Sequence, residues 1–94
     1  MEEWAFAELQ PSDNLAQLRF FCMKKPSHLG EVEFRITVFE YIKPREPEMR
    51  FFAQADKQTN QKTAPFTPSG WGRTLLDALA ECIREIHRFP YEAM

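Results

Sequence analysis

A chain of 94 residues that is 44% hydrophobic and holds nine phenylalanines can form one small domain over residues 1–94, with a core built from large side chains. Twelve Lys and Arg against fourteen Asp and Glu give a net charge of −2, so the overall field lends no help to binding a phosphate backbone. Charge of both signs at 28%, and the absence of any apolar run near ~20 residues, exclude a charge-dominated disordered chain and a helical membrane span.

The opening Met1-Glu2-Glu3-Trp4 is acidic and lacks the basic, apolar and small-residue series of a signal peptide. Cys22 and Cys82 both sit in apolar segments, as two buried free thiols would. A cytoplasmic protein without membrane contact is expected.

In chain order, Trp4 and Phe6 alternate with Ala5 and Ala7 and predict a short strand over residues 4–9. Gln10-Pro11-Ser12-Asp13-Asn14 then collects turn-favouring residues. Residues 15–24 follow as a second strand, with Leu18, Phe20 and Cys22 on one face and Gln17, Arg19, Phe21 and Met23 on the other. After a turn over residues 25–30, Val32, Phe34, Ile36 and Val38 alternate with Glu33, Arg35, Thr37 and Phe39, the signature of a central strand. Pro44 and Pro47 interrupt it, since each removes a ladder donor. Residues 49–55 resume, with Met49, Phe51, Ala53 and Ala55 opposite Arg50, Phe52 and Gln54. The polar run over residues 56–63 fits the tip of a hairpin returning through residues 63–67, and fits a loop equally well.

Thr74 is a good N-cap, and Asp77 three residues on suits the helix start it would open. Leu75, Leu76, Leu79, Cys82, Ile83 and Ile86 recur at helical spacing as an apolar stripe, and Pro90 stops the helix. The expected fold is therefore α+β: a four- or five-stranded antiparallel sheet with one C-terminal amphipathic helix on one face. That helix should cover the face bearing Phe6, Phe20, Phe34, Ile36, Val38 and Phe51.

The other face is then uncovered, and the pattern gives it Arg19, Phe21, Met23, Arg35, Thr37, Phe39, Tyr41, Arg50, Phe52 and Gln54. Exposed aromatic clusters mark interfaces, and such a face suits a protein partner or a second copy of the chain. Arginines among aromatics also suit single-stranded nucleic acid, which is the alternative reading. The order of four strands and a helix resembles that of single-strand binders such as the Whirly and transcriptional-coactivator families. No RNP-type octamer is present.

The string Ser69-Gly70-Trp71-Gly72-Arg73-Thr74 is a second, weaker candidate. Trp71 folds onto the start of the helix while Gly70 and Gly72 permit the bend, or the helix N-terminus and Arg73 hold an anion. Residues 68–83 resemble the end of HicB-type antitoxins, where a strand end leads into Gly-x-Thr-x-x-x-Ala-Leu, matched here by Gly72, Thr74, Ala78 and Leu79. The resemblance covers about a sixth of the chain, and the strands before it depart from that family's shorter layout.

Catalytic and metal chemistry find no constellation in the sequence. Cys82 and His87 stand roughly 140° apart on a helix and cannot share a metal, and His28 lies in a distant turn. Ser12, Ser27 and Ser69 are turn residues, and both thiols are expected in the core. The expectation is a non-catalytic, homodimeric binding or accessory module without metal or cofactor. Its contacts come from Arg19, Phe21, Arg35, Phe39, Tyr41, Arg50 and Phe52, with Trp71 and Arg73 beside the helix.

Overall fold

The strongest alternation in the sequence becomes a twelve-residue inner strand, paired on both sides. The computed structural model describes residues 10, 11, 13–27 and 30–92. Within them β1 (Ala16–Ser27), β2 (Gly30–Tyr41), β3 (Phe51–Ala55) and β4 (Ser69–Gly72) form one antiparallel sheet in that spatial order. One helix, α1 (Leu75–Arg88), packs across β3 and β4 on a single face, so the α+β architecture is the expected one. No helix among the described residues is long and apolar enough to cross a membrane.

The strands differ in detail from the sequence expectation. The strand expected over residues 4–9 lies outside the described residues, as do Ser12 and His28. The fourth strand is Ser69–Gly72, not residues 63–67. The segment before it closes on itself through one bridge, in which Thr59 and Phe66 exchange backbone hydrogen bonds of 2.8 and 3.0 Å. Asn60 turns the chain there with φ 53°, a conformation that asparagine tolerates.

The core lies between sheet and helix. Val32, Phe34, Ile36 and Val38 of β2 meet Phe51, Ala53 and Ala55 of β3, and Ala78, Cys82 and Ile86 of α1 close over them. Thr74 caps the helix as expected, its Oγ1 accepting the Asp77 N–H at 3.1 Å. Leu76 leaves the expected stripe and is 71% exposed, because at ~100° per residue it stands about 120° round from Cys82. Ala78 takes the central place instead. A Cβ on Gly70 would fall 2.8 Å from the Ala78 carbonyl oxygen and the Cys82 nitrogen, and one on Gly72 only 2.6 Å from the Ala78 nitrogen. The helix backbone thus lies directly on the backbone of β4.

The facing of β1 is the reverse of the expected one. Ser27 pairs with Gly30, and this register carries on to Ala16 opposite Tyr41. It sets Phe21 opposite Ile36 and Met23 opposite Phe34, so both pack against the core. Leu18, Phe20 and Cys22 turn to the uncovered face, where Leu18 is 43% and Phe20 72% exposed. The cause is the short hairpin: pairing across two intervening residues matches odd positions of β1 with the even, core-facing positions of β2.

That register also brings Lys25 opposite Val32, under the end of α1. Its Nζ donates to the Ile86 carbonyl at 2.8 Å and the Phe89 carbonyl at 3.1 Å, answering acceptors that the helix leaves open. Desolvation lowers the Lys25 pKa from its ordinary value, the cost of placing an ammonium group there.

Replacing Gly70 with alanine forces backbone against backbone, and is expected to lower stability by about 1–3 kcal/mol in urea unfolding. A neutral result would show that α1 does not sit this close. The β1 register has its own check in thiol chemistry. Burial pushes the Cys82 thiol up to about 11, whereas Cys22 is exposed. Dithionitrobenzoate should therefore titrate one thiol per native chain and both after denaturation. No reactive thiol in native protein dilute enough to be monomeric would restore the opposite facing.

Candidate functional site

Because β1 pairs in the reversed sense, the uncovered face has a composition that the sequence pattern did not give it. Phe39 and Tyr41 of β2, Phe52 of β3 and Trp71 of β4 come together as one aromatic cluster. The Phe39 and Tyr41 rings lie 6.1 Å apart and nearly parallel, at 10°. Trp71 sits 4.5 Å from Phe52 and 6.2 Å from Tyr41, at 24° to the latter. Leu18 pairs directly with Phe39, and Phe20 stands next along β1, so the apolar surface continues to the outer strand.

Trp71 belongs to this cluster because of its neighbours in sequence. Gly70 and Gly72 face α1, and strand alternation then turns Trp71 to the other side. It does not fold onto the start of the helix as expected; it is 44% exposed on the open face.

Two of the three arginines separate from the aromatics. Arg19 pairs with Val38 and so points to the helix side of the sheet, where its guanidinium meets Glu40 at 2.9 Å. Arg50 reaches the second oxygen of Glu40 at 3.0 Å and lies over the Phe51 ring. Arg50 leaves the open face because it ends the 3₁₀ turn Pro47–Met49 in a helical conformation, so the alternation of β3 begins only at Phe51. Of the three arginines assigned to the face, Arg35 alone lies on it, held by Glu33 at 3.1 Å. Asp56 secures the Arg35 backbone, accepting its N–H at 2.9 Å. Arg73 is exposed and paired with Glu48 at 2.7 Å, so the second candidate position is an ion pair at the strand–helix junction. Phe21, also assigned to the face, packs into the core instead.

Electrostatics follow these pairings. Burial raises the Glu40 carboxyl, but the hydrogen bonds from Arg19 and Arg50 outweigh it and hold the group below its ordinary value. On the open face Cys22 stands opposite Arg35 and near Glu33. Desolvation, then the Glu33 carboxylate, keep its thiol above the ordinary value, so it is accessible and protonated at neutral pH.

Sequence reasoning missed Leu18 and Phe20 on this face. The signal that would have found them is the two-residue spacing between Ser27 and Gly30. It also missed a cleft of ≈ 300 Å³ at the end of the aromatic cluster, lined by Tyr41, Trp71, Met49, Asn14, Lys43 and Arg45. Comparison with protein-family models, curated proteins and solved structures finds no match to the chain.

The Glu40 pairing has a pH signature. A carboxyl whose folded pKa lies below its unfolded value stabilises the fold fully above that unfolded value, ordinarily 4.5 for glutamate. The contribution is lost as pH falls through the folded pKa. Glu40→Gln should therefore lower stability at pH 7 and flatten the acid limb of a plot of stability against pH. Parallel curves for variant and wild type would mean that the two arginines do not hold this carboxylate.

Proposed function

We propose that the protein is a non-catalytic binding module whose uncovered sheet face is a protein interface, with a second copy of the chain as its occupant. The observation that carries this reading is Phe20, 72% exposed beside Leu18 and the four-ring cluster. Covering a phenylalanine side chain contributes about 1.5–3 kcal/mol, and interface cores are aromatic and poor in charge. The middle of this face has that composition, with Thr37, Gln54 and Ser69 as its polar members.

A second copy fits for a reason of charge. The ionic side chains that share the face lie toward the hairpin end, where Lys24 and Arg35 are mixed with Glu31 and Glu33. Two copies of such a face do not repel each other, and the net charge of −2 adds little. Single-stranded nucleic acid across the whole face is the weaker reading, because two of the three arginines that would meet its phosphates are engaged by Glu40 on the other side.

Light scattering should give a mass near twice 11.1 kDa, and Phe20→Ser should return it to the monomer value with the fold intact by circular dichroism. A monomer at the highest soluble concentration would overturn the homodimer.

A further inference from the structure

Where β2 runs out, the aromatic face meets the loop Lys43-Pro44-Arg45-Glu46 that the two prolines impose. The cleft there has an aromatic wall and a cationic rim. Tyr41 and Trp71 form the wall, their rings 24° from parallel and Trp71 44% exposed, with Met49 beside them. Lys43 and Arg45 form the rim; both are exposed, and neither has an ion pair or hydrogen bond among the described residues.

The surrounding charges leave these two cations uncompensated. Glu40 is answered twice, by Arg19 and Arg50, and Glu48 is taken by Arg73. The loop itself holds one acid, Glu46, beside these two cations. A chain with net charge −2 thus carries local positive excess next to exposed ring faces.

We propose that this cleft is a nucleotide site: the base stacks on Trp71 and Tyr41, and the phosphate is held by Lys43 and Arg45. A cleft of ≈ 300 Å³ is at the lower end of small-ligand sites and matches one nucleotide rather than a longer ligand. Stacking on rings accepts any base, and the ammonium and guanidinium groups supply the charge-assisted contacts a phosphate requires. The same chemistry arises from a free nucleotide or from one residue of a single strand. The proposal does not need the homodimer, but the cleft borrows Tyr41 and Trp71 from the four-ring cluster, so a second copy seated on that cluster competes with the nucleotide for them.

The test is fluorescence anisotropy of a short fluorescein-labelled oligothymidylate at low and high salt, followed by competition with AMP and with inorganic phosphate. Binding is expected at low salt and should weaken as salt rises. Lys43→Glu together with Arg45→Glu should abolish it, and Trp71→Ala should weaken it by roughly tenfold or more. Displacement by AMP but not by phosphate identifies the free nucleotide as a sufficient ligand. Oligonucleotide binding that AMP cannot displace, but that still needs Lys43, Arg45 and Trp71, assigns the site to a strand.

The charge variants change exposed loop residues and keep the test valid if Trp71→Ala does not fold. Phe20→Ser frees Tyr41 and Trp71 of a second copy and should keep or strengthen the binding; loss of binding in this variant with the fold intact would overturn the proposal. No binding of either probe at low salt overturns the proposal, as does binding indifferent to the double charge reversal. A polyglutamate peptide competing as well as the oligonucleotide would also overturn it, in favour of an acidic protein partner.

Discussion

The rest of the structure depends on the contact between α1 and β4, where two glycines remove the side chains that would otherwise separate helix from strand. With Cβ positions on Gly70 and Gly72 blocked by the backbone of Ala78 and its neighbours, the helix settles at one edge of the sheet, over β4 and β3. Three consequences follow. The core becomes a thin layer in which alanines alternate with large residues, since Ala53, Ala55 and Ala78 are what so close an approach admits. The residue between the glycines must point the other way, which delivers Trp71 to the open face. Finally, the outer part of the β1–β2 hairpin lies beyond the helix flank and needs other cover. The chain after α1 supplies it, with Tyr91 edge-on to Phe34 at 5.9 Å and Lys25 tied to the helix end.

The same asymmetry sorts the polar groups. Cations on the helix side find fixed acceptors: Lys25 takes two carbonyls, and Arg19 and Arg50 share one carboxylate. An arginine pinned by a half-buried carboxylate has its charge spent, so the helix side is ordered and electrically settled. The open face has the reverse character, apolar in its middle and with its charges toward the hairpin and at the loop end. The aromatic–arginine mixture that a flat strand drawing suggests is, in the folded chain, two separate surfaces.

How much of this the sequence disclosed depended on how strongly each segment discriminated between its two faces. β2 was legible because Val32, Phe34, Ile36 and Val38 alternate with polar residues along most of its length. The helix was legible from its cap, stripe and stop, apart from the exchange of Leu76 for Ala78, which is decided by the glycines across the contact. β1 was not legible, because Leu18, Phe20 and Cys22 are about as apolar as Phe21 and Met23, and only the hairpin spacing breaks the tie. Gly-Trp-Gly reads locally as a turn, since two glycines carry no strand preference; its pairing with Phe51, Phe52 and Ala53 is a tertiary fact. The site suffered accordingly. Arg35, Phe39, Tyr41 and Phe52 were placed on the open face, Trp71 was expected on the helix start instead, and Arg19, Phe21 and Arg50 were placed on the wrong side.

The sheet offers two ways to meet a partner, through its outer strands or through its face, and the outer strands are guarded. β4 has four residues, too few for a long added strand, and two of them are glycines. β1 is long but carries Pro26, which cannot donate, and Lys24 beside it, both exposed. Among the described residues no comparable device protects the face. Its rings cover one another in part, Phe52 against Trp71 and Phe39 against Tyr41, but Phe20 has no ring partner among the described aromatic contacts. The chain thus blunts its outer strands and leaves the exposed Phe20 on its face, where side chains rather than backbone ladders would meet a partner.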